Sequence, residues 1–233
     1  SFVFLYFILI NLKIPVYLMP GMAASPLIFE HIKLSPEIFE VHELSWFTPE
    51  KNESLETYAL KMCALVNHKD PVLIGVSFGG ILVQEMAKQI PTRKVIIISS
   101  VKSSKEFPKR MQFSRYTKIH KLLPTSLVHN VEVLAKYAFG ETVTKRLALY
   151  EKYLSIRDKA YIDWSIDQII NWKETTVLPN LIHIQGDKDA VFPIENIQHC
   201  ISVKNGTHTM IIHRHKWFNE HLPTLILENE SSI

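Results

Sequence analysis

Ser77 stands between glycines in Gly75-Val76-Ser77-Phe78-Gly79-Gly80, with the apolar run Pro71-Val72-Leu73-Ile74 ahead of it and Ile81-Leu82-Val83-Gln84-Glu85-Met86-Ala87-Lys88 behind it. A strand that stops at a serine and turns at once into a helical pattern is the setting in which a G-x-S-x-G string presents a nucleophile. The turn forces strained backbone on the serine, and side chains at Gly75 and Gly79 would strike neighbouring backbone. The resulting hydroxyl sits at the end of a sheet, above a helix N-terminus whose free N–H groups favour developing negative charge. That arrangement suits attack on a carbonyl carbon. A phosphate-cradling loop is excluded, because the stretch has neither the P-loop lysine nor G-x-G-x-x-G spacing.

A serine hydroxyl is a weak nucleophile near neutral pH, so it needs a base to take its proton and a third group to fix the base's tautomer. Two acids follow a late apolar run in Ile184-Gln185-Gly186-Asp187-Lys188-Asp189-Ala190-Val191-Phe192-Pro193, and His208 lies in the glycine-containing loop Lys204-Asn205-Gly206-Thr207-His208-Thr209-Met210. Asp187 and Asp189 compete for the third role; Gly186-Asp187 suits the turn itself, which favours Asp189.

The elements that must carry these residues alternate. Lys13 to Met19 reads as a strand ending at Pro20-Gly21, and Ala24-Ser25-Pro26 as a helix start with Ser25 as cap and Pro26 at the first helical position. Phe39 to Leu44 is a second strand. From Ser54, a second candidate cap, Leu55, Tyr58, Ala59, Met62, Leu65 and Val66 share one helical face. After the serine turn and its helix, Lys94-Val95-Ile96-Ile97-Ile98-Ser99 is apolar on both faces, as a central parallel strand should be. Between Lys102 and Lys173 no strand is evident; helices broken near Pro108, Pro124 and Gly140 read as an insertion over the strand ends. Strands resume at Asn180 to Gln185 and Cys200 to Val203, before an amphipathic tail. The expectation is an α/β chain: a mostly parallel central sheet with helices on both faces.

On these motifs, the serine turn at Gly75 to Gly79, the G-D-x-D-x-x-x-P loop at Gly186 to Pro193 and the G-x-H loop at Gly206 to His208, the chain resembles the α/β-hydrolases, in particular the small capped single-domain serine hydrolases. The resemblance runs from about Lys13 to the final helix. It implies a core of residues 13–101 and 176–233 with a helical cap at 102–175, and a triad of nucleophile Ser77, base His208 and acid Asp189. Some members carry the acid after the strand that follows the nucleophile helix; here that position reads Ser99-Ser100-Val101, without a carboxylate. The oxyanion donors implied are the N–H groups of Phe78 and Met22. The loop Pro20-Gly21-Met22 departs from the usual His-Gly and leaves the backbone donor in place. The implied function is cleavage of an ester or related acyl bond on a small-molecule acyl substrate, with no cofactor and no metal. Members that cleave carbon–carbon bonds or catalyse elimination with the same triad form the alternative, and a non-catalytic small-molecule receptor on the scaffold a third.

With 233 residues, 47% of them hydrophobic, the chain can bury a full core. A net charge of +3, with basic residues dispersed, argues against a nucleic-acid partner. Cys63 and Cys200 are far apart without C-x-x-C, which speaks against a disulfide framework and for a cytoplasmic setting. The apolar opening at 1–12 is too short to span a bilayer, so no stable membrane insertion is expected; it fits an edge strand, a signal-segment core or an extension. His183 reads as a sheet histidine. His213 and His215 fall on different helix faces, and His31, His42, His68, His120, His129, His199 and His221 show no ligand spacing. In the insertion, Met111, Phe113, Tyr116, Tyr137, Phe139, Tyr150, Tyr153 and Trp164 read mainly as core, with a minority as the lining of an acyl pocket. Lys102, Lys105, Lys109, Arg110, Arg115, Lys118 and Lys121 read as a solvated face or as an attractor for an anionic substrate. Oligomeric state is not legible.

Overall fold

A computed structural model describes residues 13–117 and 151–228. The segment 1–12 and the middle of the insertion, with the expectations placed on Lys118, Lys121, Tyr137, Phe139 and Tyr150, lie outside the described residues. The sheet has six strands: β1 (Ile14–Met19), β2 (Phe39–Glu43), β3 (Val72–Val76), β4 (Lys94–Ile98), β5 (Leu181–Gly186) and β6 (Ile201–Val203). All are parallel, in the order β2-β1-β3-β4-β5-β6. The two strands richest in β-branched and aliphatic residues, β3 and β4, take the centre and are buried at every position, each large aliphatic side chain contributing about 1.5–3 kcal/mol by leaving water. At the β2 edge, Glu40, Val41 and Glu43 are exposed, and charged side chains there discourage further strand pairing.

The chain runs one way across the sheet from β1 to β2, then returns to the other side of β1 as β3 and continues away. The carboxyl ends of β1 and β3 therefore flank the point where the direction of winding reverses, which is where open parallel sheets leave a crevice. The loop after β1 is Pro20-Gly21-Met22, and the residue after β3 is Ser77.

Helix α1 (Leu55–Cys63) starts as expected, with Ser54 Oγ accepting from the Thr57 N–H at 3.1 Å, and it buries Leu55, Tyr58, Ala59, Met62 and Cys63. Helix α2 (Phe78–Ala87) is buried from Phe78 to Met86 because it lies directly against the sheet. Helices α3 (Lys109–Thr117) and α4 (Lys159–Asn171) come from the 102–175 stretch, α5 (Met210–His213) is one turn, and α6 (His215–Leu227) closes the chain. Lys94, buried at the start of β4, places its ammonium on the carbonyls of Leu225 (2.6 Å) and Glu228 (2.6 Å), satisfying the negative end of α6.

One expected helix is shorter than the pattern implied. Pro26–Phe29 is a single 3-10 turn, and Ser25 Oγ is buried without a hydrogen bond instead of capping it. The Ser25 N–H is drawn to the Tyr153 carbonyl at 2.9 Å, so the backbone that would open a longer helix is tied to the later chain. Cys63 and Cys200 are both free thiols.

The contact between α2 and the sheet is set by glycine. A Cβ on Gly75 would lie 2.3 Å from the Gly79 carbonyl oxygen, and one on Gly79 would lie 2.3 Å from the Pro20 oxygen. By contrast, a Cβ on Gly21 would meet nothing closer than 3.4 Å. Gly79→Ala is therefore expected to lower the urea-unfolding free energy by about 3 kcal/mol or to prevent folding, with Gly21→Ala costing under about 1 kcal/mol; equal effects of the two would contradict this packing.

Candidate active site

Ser77 takes φ 53 and ψ −118, in the strained region a serine rarely occupies. Three bonds hold it there. Its N–H donates to the Ile98 carbonyl at 2.9 Å, its own carbonyl accepts from Ser100 Oγ at 2.7 Å, and the Gly80 N–H reaches the same carbonyl at 2.9 Å. The side chain makes no cap bond to α2, so it is free for another partner.

That partner is His208, whose Nε2 lies 2.9 Å from Ser77 Oγ. The other ring nitrogen, Nδ1, lies 2.9 Å from Asp189 Oδ2 and 3.1 Å from Oδ1. The acid and histidine loops meet through bare backbone: a Cβ on Gly186 would stand 2.3 Å from the Gly206 oxygen, and the Lys188 N–H donates to that oxygen at 2.8 Å. Glycine at both places lets the two loops touch. Of the two competing acids, Asp189 meets the histidine. Asp187 sits in the turn with its N–H on the Val203 carbonyl at 3.2 Å.

Asp189 is buried and accepts three hydrogen bonds besides its contacts with the His208 ring. Oδ1 accepts from the N–H groups of Val191 (2.8 Å) and Phe192 (3.0 Å), and Oδ2 from Gln185 Nε2 (3.0 Å). Burial alone would raise its pKa, but His208 and the two backbone donors outweigh it and hold the carboxyl below its ordinary 3.8. Gln185 had no place in the sequence argument. Its amide must turn NH2 toward the carboxylate and the Phe192 carbonyl (2.7 Å), which leaves Oε1 facing His183 Nε2 at 3.1 Å. His183 therefore donates from Nε2. Burial first, and the charge of Lys102 second, push the His183 pKa down to about 4, so it stays neutral. The signal was present in β5, where two polar residues at i and i+2, His183 and Gln185, share one face of an otherwise apolar strand.

Of the two implied oxyanion donors, Phe78 follows the serine directly and Met22 lines the same cavity. Phe78 is the first residue of α2, so its N–H lies outside the intrahelical ladder. Its ring stacks on Trp46 at 4.8 Å between centroids. Trp46 Nε1 donates to the Gly21 carbonyl at 2.8 Å, and the Ala23 N–H reaches Tyr161 Oη at 3.3 Å, fixing the loop on either side of Met22. Ala23 itself stands at φ 63. Trp46 and Tyr161 were legible only as loop and helix residues, since their role depends on where distant segments meet.

Ser77 and His208 open into a cavity of about 470 Å³. Met22, Ile28, Met111, Leu154, Ile166, Ile169, Ile170, Val191, Phe192, Ile211 and Ile212 form its apolar wall. Helices α3 and α4 supply Met111 and the three isoleucines from 166 to 170, so the described parts of the 102–175 stretch stand over the strand ends. Phe113 and Tyr116, expected in a core, are exposed on the outer side of α3. Of the basic residues, Lys105 and Lys109 are exposed, and three others bond to the backbone. Lys102 is buried against Glu106 and the carbonyls of Gln198 and His199. Arg110 donates to the Ala190 (2.8 Å) and Val191 (3.2 Å) carbonyls, and Arg115 closes the end of α4 on Ile170 (2.7 Å) and Trp172 (2.6 Å). His42 and His68, for which spacing gave no ligand signal, come together beside Glu40.

A scan against protein-family models gives no match, and a search of curated proteins finds no significant relative. Solved structures do match over nearly the whole chain. An esterase from Exiguobacterium antarcticum aligns with a TM-score of 0.67 at 17% identity, covering 94% of this chain and 94% of its own. An enol-lactonase from Burkholderia xenovorans gives 0.68 at 12% identity, covering 93% and 92%. A thermophilic esterase from Thermogutta terrifontis gives 0.62 at 14% identity, covering 92% and 91%. The chain thus has the α/β-hydrolase fold, with an all-parallel sheet among the described residues. Among those residues no helix is long and apolar enough to cross a membrane.

Because the folded pKa of Asp189 lies below its unfolded value, the stabilisation its ionised form provides is complete above about pH 3.8 and is lost as pH falls through the folded value. Asp189→Asn is expected to cost about 1.5–3 kcal/mol at pH 6 by urea unfolding, with the gap to the parent protein narrowing below pH 4. A gap independent of pH would show that the carboxylate is not held ionised by these partners.

Proposed function

We propose that the protein is a cofactor-independent serine hydrolase that cleaves an ester or related acyl bond through Ser77, His208 and Asp189. The observation that carries this reading is the unbroken path from the Asp189 carboxylate through His208 to Ser77 Oγ, at 2.9 Å on each side of the imidazole, opening into an apolar cavity. The neighbours named as esterases and as an enol-lactonase support the same class, since opening a lactone is also attack on an acyl carbon–oxygen bond.

In this reading His208 Nε2 takes the Ser77 proton as Oγ attacks the substrate carbonyl carbon. The negative oxygen of the tetrahedral intermediate is received by the N–H groups of Phe78 and Met22, each donor worth roughly 2.7–4 kcal/mol at the transition state. Collapse breaks the carbon–oxygen bond to the leaving alcohol, to which His208 returns the proton. Water, deprotonated by the same nitrogen, then attacks the acyl-enzyme; the acyl–Oγ bond breaks, the acid leaves and His208 returns the proton to Ser77 Oγ. Asp189 holds His208 with Nδ1–H turned inward and stabilises its cation. The predominantly apolar wall fits an uncharged acyl group better than an anionic one.

The test is turnover of a series of p-nitrophenyl esters with concurrent mass spectrometry. The parent protein is expected to hydrolyse short to medium acyl esters, to prefer them over esters bearing a terminal carboxylate, and to gain an acyl adduct on Ser77 in rapid-quench samples. Ser77→Ala and His208→Ala are expected to lose about three to six orders of magnitude in kcat while retaining the parental circular dichroism. Undiminished turnover in folded Ser77→Ala would refute the proposal. Ligand binding without any acyl adduct or product would point instead to the receptor reading.

A further inference from the structure

Away from the cavity, three side chains of metal-binding type converge at the β2 edge of the sheet. Glu40 and His42 stand at i and i+2 in β2 and so project on the same side of the strand. His68 arrives from the loop between α1 and β3. One ligand atom from each of the three lies within 4.8 Å of the other two. His42 Nε2 is 3.0 Å and His68 Nε2 3.5 Å from the same Glu40 oxygen.

The two imidazoles are held in place. Tyr17, directly opposite His42 in the β1–β2 register, stacks on its ring at 4.7 Å between centroids and 18° between planes. Tyr17 Oη lies 2.7 Å from His68 Nδ1 and also receives the Asn67 N–H at 3.1 Å. In the tautomer a metal requires, His68 Nδ1–H donates to this phenol oxygen and the Nε2 lone pair faces Glu40, which is how a metal-bound imidazole is commonly oriented from behind. His42 supplies an independent sign. Its Nε2 is shut off from solvent and makes no hydrogen bond of acceptable geometry, although Glu40 lies beside it. The Glu40 oxygen 3.0 Å away thus stands as a second ligand of one ion would, not as a hydrogen-bond acceptor.

We propose that Glu40, His42 and His68 form a binding site for a divalent transition-metal ion, zinc in the first place, that ties the edge strand β2 to the α1–β3 loop. Two imidazoles and one carboxylate suit zinc and its neighbours, not calcium or magnesium, which take oxygen ligands. Metal–ligand bonds of about 2.0–2.1 Å in a tetrahedron put ligand atoms about 3.3 Å apart, so the separations to Glu40 already match. Glu40 is exposed, so water can complete the set.

The experiment titrates the full chain, purified without a histidine tag and stripped with chelator, with zinc chloride by calorimetry and with Co²⁺ by visible absorption. One equivalent of zinc is expected to bind with micromolar or tighter Kd, to raise Tm, and to be replaced by Co²⁺ with tetrahedral ligand-field bands. His42→Ala, His68→Ala and the conservative Glu40→Gln should each weaken binding at least tenfold, and Tyr17→Phe to a lesser extent. His208→Ala should leave this site's affinity intact, which separates it from metal captured at the catalytic histidine. Absence of binding below millimolar zinc, or parental affinity retained in Glu40→Gln and in the His42→Ala/His68→Ala double variant, would overturn the proposal. Because the three residues lie at an edge and not in the core, circular dichroism of the exposed Glu40→Gln variant guards against a folding artefact.

Discussion

Everything at the candidate active site depends on one unfavourable backbone conformation. Ser77 at φ 53 costs on the order of 1–3 kcal/mol, and it persists because the sheet leaves the chain no alternative. β3 ends against β1 and β4, α2 begins at once, and the two can touch only where Gly75 and Gly79 have no side chain. The same absence of a side chain at Gly79 brings the start of α2 against Pro20, so the loop carrying Met22 and the turn carrying Ser77 are placed by a single contact. Hydrogen bonds from Ser100 and to Ile98 then lock the strained residue from the β4 side.

A second constraint is electrostatic. Asp189 is buried, and an ionised carboxylate away from water is tolerated only when its oxygens are satisfied. The protein answers with two backbone N–H groups, the Gln185 amide and His208. Gln185 is fixed in turn by neutral His183, so the orientation of each amide and ring from β5 to Ser77 follows from the one before it. His183 stays neutral because burial and the nearby Lys102 outweigh the pull of Gln185 and Asp189 toward its charged form. Thus the tautomer of the base is set several residues upstream of the hydroxyl it serves.

How much of this was legible in the chain depends on whether the controlling interaction is local. The strands, the serine turn and the Ser54 cap announce themselves through periodicity and short-range stereochemistry, and β3 and β4 could hardly be read otherwise. The choice of Asp189 over Asp187 rested on a turn preference that the backbone obeys. The Ser25 helix was overread because its backbone donor is claimed by Tyr153, far along the chain. Trp46, Tyr161 and Gln185 escaped notice for the same reason: their partners are distant, and nothing beside them in sequence marks the contact. His42 and His68 are the same case, since ligand spacing is a property of one segment and their meeting with Glu40 depends on three.

The basic residues of the 102–175 stretch show how a charge count misleads when burial is unknown. Lys102, Arg110 and Arg115 all count toward a possible attractor for anions, yet each donates to carbonyls at the end of a loop or helix. Their work is to hold α3, α4 and the acid loop around the cavity, and of the three only Arg110 also lines it. What remains facing Ser77 is mostly isoleucine, methionine and phenylalanine. Such a wall excludes water from the proton path and lowers the local dielectric, which strengthens the Asp189–His208 attraction. It also makes desolvating a charged acyl group costly and an uncharged one favourable. The surface that would select the substrate is therefore the same surface that keeps the polar path effective.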